Sequence, residues 1–554
     1  MAQTQIEPVL APRGGLRLDL PSDLISPLEM TDCANVFFED GLVKKRYGYK
    51  RMGGNLPLHG AVMGSDQYYK FGGQNYLLVM TTKDIYQWNP VTSEWDSIGV
   101  GTGASGAYGA GVYGSRAYGM QPNAYGARAY GESFYGSQKG SIFTGTDADP
   151  FSYDYIRKLT ESEPWWVCTN GVDNIKKYNG ENLVDLGGSP PIAKRLVAFK
   201  DYLHLLDVTE GGNRFPQRDR WSDTGNPENW LTGNASYKDL PGADWISNGM
   251  KFKGDYMVVL KERSIEVGYA TADEEIFEFD CKVTGAGCAA PNTIESLGDE
   301  IIFLGWDDVY VFNGIDYEPI GTPIQRELFR TLNPEQIGRC FGVIIEEQKE
   351  YWLFVPSTRS TYPDMAWCFN YNLNKWTRHT FGNYITAFGY YFLERAMTWN
   401  DLVGSWDSQA WRWDDRTILS HAPTTLFGDV DGYVFEYDKL TNNDDGTAID
   451  AYFDTKDFVR RDPNTGRVVR QRILQLDVYY TGQSLDVSYS IDKGRNWTAI
   501  GTLPASTNME IARSLYLRLD CERVRYRFRN ANLNQHFEFN SANIYWQFAG
   551  TRLN

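Results

Sequence analysis

Three runs of this chain carry side chains whose type and spacing could do chemistry. Arg523, Arg525, Arg527 and Arg529 alternate with Val524, Tyr526 and Phe528. Successive side chains on a strand point to opposite faces, so this spacing puts four guanidiniums on one face and the apolar set on the other. A planar guanidinium pairs bidentately with a carboxylate. The row therefore reads as a solvated outer face or as an electrostatic dock for an acidic neighbouring subunit. Lys44-Lys45-Arg46, followed by Lys50-Arg51, is a shorter basic cluster. It reads as surface charge or as a contact with an acidic partner ring. Between residues 101 and 140, Tyr–Gly pairs start at Tyr108, Tyr113, Tyr118, Tyr125, Tyr130 and Tyr135. Tyrosine gives flat, rigid contact area at low entropic cost. The segment reads as a surface loop, or as one that touches a partner, lines a lumen or gates it.

Residues for catalysis or metal binding do not assemble in the sequence. The five histidines (His59, His204, His379, His421 and His536) form no HxH or HExxH pair. Asp429-Val-Asp431-Gly432 and Asn442-Asn-Asp444-Asp445-Gly446 are acidic turns that do not fit a calcium loop. The 71 acidic residues offer many carboxylate pairs for glycoside hydrolysis, but no spacing singles one out. There is no G-x-S-x-G and no P-loop. Ser490-Ile-Asp492-Lys-Gly494-Arg-Asn-Trp497 fits the Asp-box pattern, which reads as a structural hairpin with Trp packed beneath it. No catalytic residue, metal or cofactor is assigned, and the reading is of a non-enzyme.

The elements that must position these residues are strands. The chain has 554 residues, enough for three or four units at about 150 residues each. Its 17 Trp, 36 Tyr and 28 Phe favour pleated surfaces, which flat rings cover well. From about 60 to 440 a short apolar strand repeatedly ends in an aromatic residue followed by Asn or Asp. Examples are Trp88-Asn89-Pro90, Tyr178-Asn179-Gly180, Phe312-Asn313-Gly314, Tyr371-Asn372 and Tyr437-Asp438. Strands joined by such turns resemble the blades of a kelch-type β-propeller, about 40–50 residues each. Uneven spacing allows six to eight blades. After 446, strong alternation with frequent turns predicts a β-sandwich. The expected organisation is all-β: an N-terminal arm and hairpin at 1–58, a propeller at 59–445 with 101–140 inserted into a blade, and a C-terminal sandwich at 446–554.

The seven cysteines are odd in number and form no CxxC, so they read as buried thiols of a chain folded in a reducing cytosol. The N-terminus lacks the basic and apolar regions of a signal peptide, and no long apolar run predicts membrane insertion. The formal charge of −17 lacks the basic footprint of a DNA-binding protein.

Six stretches stand in a fixed order. The first three are Asn35-Val-Phe-Phe-Glu-Asp-Gly-Leu-Val-Lys-Lys-Arg-Tyr-Gly-Tyr49, Arg220-Trp-Ser-Asp-Thr-Gly-Asn-Pro-Glu-Asn-Trp230 and Leu260-Lys-Glu-Arg-Ser-Ile-Glu-Val267. Further on come Gly287-Cys-Ala-Ala-Pro-Asn-Thr-Ile294, Phe303-Leu-Gly-Trp-Asp-Asp-Val-Tyr-Val-Phe-Asn-Gly314 and Gly428-Asp-Val-Asp-Gly-Tyr-Val434. Together they resemble tail nozzle and tail tubular proteins (packaged-DNA stabilisation proteins) of short-tailed bacteriophages. The resemblance runs over most of 35–540 as an order of motifs and does not include 101–140. It implies a virion protein repeated around an axis, with six copies expected, below the portal and its head-to-tail adaptor. Its other neighbours would be tail fibres or tip proteins, and DNA would pass through without specific binding. A receptor- or glycan-binding tail component on the same fold is the alternative reading. A propeller hydrolase acting on cell-surface polysaccharide is a third.

Overall fold

The computed structural model describes residues 4–99, 141–271, 275–392, 423–462 and 466–549. The six tyrosines of the 101–140 segment lie outside these residues. The strand before that segment, Glu94–Ser97, is the outermost of one sheet, and the strand after it, Ser152–Arg157, is the innermost of the next. The segment therefore joins two blades and does not interrupt one.

Among the described residues, seven sheets follow one another as blades. Six are antiparallel, four-stranded and consecutive in sequence, with inner strands Val62–Tyr69, Ser152–Arg157, Ile192–Phe199, Ile246–Phe252, Glu295–Ser296 and Phe341–Ile345. The seventh takes three strands from late in the chain (Ile385–Tyr391, Thr424–Asp429 and Val434–Asp438) and a fourth, Gly48–Arg51, from the N-terminal region, and is extended by Asn443–Asp444, parallel to that fourth strand, and Thr447–Ala448. The ring closes where blade seven meets blade one. There the Thr386 hydroxyl donates to the Val62 carbonyl at 2.6 Å, and Val62, Val79, Ala387 and Val434 share a core.

The aromatic–Asx turns of blades one, two, five and six sit between the third and fourth strands, and Tyr437-Asp438 ends the third strand of blade seven. The Oδ1 atoms of Asn89, Asn179 and Asn313 each accept two backbone N–H groups from the turn, and Oδ1 of Asp438 accepts one from Leu440. The side chain thereby replaces a backbone partner and fixes the reversal. Rings beside these turns pack across the strand pair: the Trp88–Trp95 and Phe369–Trp376 centroids are each 5.0 Å apart.

The C-terminal sandwich consists of a six-stranded and a seven-stranded sheet. Residues 1–58 are not a separate unit, contrary to the expected division. Gln5–Leu10, Val36–Glu39 and Leu42–Lys45 join the six-stranded sheet, Asp32–Ala34 joins the seven-stranded one, and Gly48–Arg51 completes blade seven. The Leu16 N–H donates to the Trp376 carbonyl and the Thr31 N–H to the Asp454 carbonyl, tying the intervening segment to blade six and to the sandwich. Gly48 is required where the chain crosses, because a Cβ there would meet the Asn443 carbonyl oxygen.

One hydrophobic core runs through both modules. It contains Leu304 and Val309 of blade five, Tyr351, Trp367 and Trp376 of blade six, and Phe453, Ile473, Phe528 and Phe539 of the sandwich. A shared core of this kind resists hinge motion, because separating the modules would expose packed apolar surface.

Candidate functional site

The alternating arginines lie on Arg523–Asn530, a central strand of the seven-stranded sheet. Three of them face an intrachain row of aspartates. Arg525 Nε donates to buried Asp457 at 2.8 Å, Arg527 forks onto Asp454 at 2.7 and 2.9 Å, and Arg529 forks onto Asp450 at 2.7 and 2.8 Å. Arg523 reaches Asp457 only at 3.8 Å. The expected docking face for a neighbour is thus already occupied by carboxylates of its own chain. The Asp-box hairpin meets this row. The Asp492 carboxylate accepts from the Ser490 hydroxyl and the Asn496 N–H, and these bonds hold its carboxyl down to about 2. The Arg527 guanidinium lies 4.2 Å from the ring centroids of both Trp497 and Tyr452.

The Lys44–Arg46 cluster is internal and so cannot serve as the surface contact it resembles. Lys44 is bound by Glu39 at 3.0 Å and Glu538 at 3.2 Å. Lys45 is fully buried and donates to Asn530 Oδ1 at 2.9 Å; burial, then the neighbouring Arg46 charge, pushes its ammonium down to about 8. Arg46 is fully buried and forks onto Asp444 at 2.8 and 2.5 Å, while its Nε donates to Asn35 and its Nη2 to the Thr380 carbonyl. Asn35 also donates to the Asp450 carbonyl of the sandwich. Arm, blade six, blade seven and sandwich therefore meet at this one guanidinium. The burying strands lie hundreds of residues away in sequence, which is why the cluster reads as exposed.

Other reactive groups are packed away. His204 Nδ1 lies 2.9 Å from Asp219, both fully buried beside Phe277. His379 is fully buried, and burial followed by the Arg46 charge lowers it to about 3. None of the seven cysteines is in a disulfide, and six are buried while Cys281 is exposed. No group of three or more metal-ligating side chains occurs among the described residues.

One concave feature is the hole of the propeller, a cavity of about 390 Å³ lined by the inner strand of every blade. Four charged residues contribute to it. Asp154 and Lys251 pair with each other at 2.8 Å. Arg195 is 6% exposed and makes no hydrogen bond or ion pair among the described residues; burial lowers its guanidinium to about 10. Glu295 is likewise without a hydrogen-bond partner, and burial alone raises its carboxyl to about 8. Sequence reasoning missed both. The available signal was an arginine in step with Ala193, Val197 and Phe199 on the apolar face of a strand.

No sequence-family model matches the chain, and no curated protein matches it in sequence. Among solved structures it is similar to the WD40 domain of Pan2 from Neurospora crassa, with 9% identity over 73% of this chain and 98% of that one, at a TM-score of 0.34. A second is BBS1N in complex with ARL6DN, with 10% identity over 72% and 99%, at a TM-score of 0.37. A third is an exo-β-1,3-galactanase from Phanerochaete chrysosporium, with 8% identity over 71% and 95%, at a TM-score of 0.22. The strand pairing itself defines the class: an all-β protein in which a seven-bladed propeller and a β-sandwich share one core.

Proposed function

We propose that this chain is a structural virion protein of a short-tailed phage, a wall segment of the tail nozzle through which DNA leaves. Copies assemble into a ring, six being the expected number, below the portal and adaptor. The observation that carries this reading is the disposition of charge. The basic clusters that would grip a polyanion are buried or bound to internal carboxylates, and the chain as a whole has a net charge of −17. An acidic wall repels phosphate and lets DNA slide. The shared core supports it too, since a tube wall needs protomers that do not flex at an internal hinge.

The propeller hole is not the conduit. A cavity of about 390 Å³ filled round by side chains does not admit a duplex, whose major groove alone is about 12 Å wide. DNA would run along an outer acidic face, enclosed by several copies. The test is electron microscopy of the purified chain with its adaptor, together with duplex-DNA retention on the assembly. Closed rings with a pore wider than a duplex and no retention at physiological salt are expected. A persistent monomer, or tight duplex binding, overturns the reading.

A further inference from the structure

We propose that the propeller hole binds a small carboxylate-bearing polyol, of the size of a sugar acid, with Arg195 as the anchor for the carboxylate. This is independent of the nozzle reading. An isolated guanidinium is expensive to bury, and interiors ordinarily supply it with an anion. Here Asp207, the carboxylate whose charge acts on Arg195, is already taken by Arg214, whose Nε and Nη2 donate at 2.7 and 2.6 Å. Arg195 therefore stands with its hydrogen-bonding capacity unspent, on a cavity partly open to solvent.

The charge balance of the cavity selects the ligand. Asp154 and Lys251 cancel as an ion pair. Burial raises the Glu295 carboxyl to about 8, toward its neutral form. The single guanidinium of the lining, Arg195, makes no hydrogen bond or ion pair among the described residues and matches one carboxylate better than a phosphate dianion. The rest of the lining asks for hydroxyl groups. The Asn292 amide and the Glu295 carboxyl have no side-chain hydrogen bond among the described residues, and Phe341 supplies apolar area beside them. The volume lies at the small end of ligand sites, about 300–1,000 Å³.

The experiment is isothermal titration of the full chain with D-glucuronate, D-glucose, acetate and inorganic phosphate. Saturable binding of one glucuronate per chain is expected, at least about 10-fold tighter than glucose or acetate, with Arg195→Met losing about 10- to 100-fold. No glucuronate binding, equal binding by R195M, or tighter binding of phosphate each overturns the proposal. Should R195M not fold, modification of the wild-type chain by phenylglyoxal decides, read at Arg195 by mass spectrometry. Protection by glucuronate and not by glucose supports the assignment, and an unchanged rate overturns it.

Discussion

The sandwich ladder and the propeller hole use arginine in opposite ways. In the sandwich, Arg525, Arg527 and Arg529 each meet an aspartate of the same chain, and at the junction Arg46 is wholly enclosed by Asp444, Asn35 and the Thr380 carbonyl. In the propeller hole, Arg195 is also buried but makes no hydrogen bond or ion pair among the described residues. The difference teaches that a basic residue is free for a partner when its own fold leaves it unpaired, whatever its neighbours in sequence. By that criterion the clusters most conspicuous in the sequence are structural, and the inconspicuous Arg195 is left for a ligand.

The comparison can be broken at several points. Arg46→Ala would leave Asp444 buried and unpaired at the meeting point of four elements, so chemical denaturation should show a loss of about 3–5 kcal/mol. A loss under about 1 kcal/mol would mean that the junction is held by apolar packing alone. Within the ladder the effect should grade with burial. Arg525→Ala should cost about 2 kcal/mol, because Asp457 is enclosed, whereas Arg529→Ala should cost under about 1 kcal/mol, because that pair is about half exposed. Equal losses would contradict the ordering.

Arg195→Met should have the opposite sign. Without ligand it removes an unpaired buried charge and should stabilise the chain by about 1 kcal/mol, read as a raised melting temperature. A clear destabilisation would show that the guanidinium already has a structural partner.

The buried carboxyls sharpen the contrast through pH. Burial raises Glu350 to about 8, as it does Glu295; one Glu350 oxygen accepts from Trp352 Nε1 at 2.8 Å and the other has no partner. Between the ordinary carboxyl value and about 8 the folded state holds protons that the unfolded state has lost, so stability falls as pH rises through this window. The contribution of these two groups is greatest below the unfolded value and stops falling above about pH 8. Each glutamate contributes up to about 1 kcal/mol per pH unit, and Glu350→Gln or Glu295→Gln should flatten the slope. A slope unchanged in both variants would mean that these carboxyls ionise freely in the folded chain.

Much of the architecture was legible because it is written in local chemistry. The aromatic–Asx turns, the Asp-box hairpin and the alternation of 523–529 each depend on residues within a few positions. The blade number was not legible. The inner strand of blade five is only Glu295–Ser296, too short to show a period, and blade seven borrows Gly48–Arg51 from the other end of the chain. The ladder's partners, Asp450, Asp454 and Asp457, lie about seventy residues upstream, so alternation revealed the row of guanidiniums but not what occupies it. Burial of Lys44–Arg46 depends on contacts with Asp444 and Asn530, which no local pattern encodes. Arg195 and Glu295 converge only when the ring closes around them.

The central claim is that rigid protomers close into a ring whose lumen offers no cation to DNA. Cryo-electron microscopy of the purified chain with its adaptor tests it most directly. The account predicts a closed ring of about six copies, with an acidic lumen wide enough for a duplex and each propeller hole sealed off from it. A lumen lined with arginine and lysine, DNA threaded through the propeller itself, or a chain that stays monomeric would contradict it.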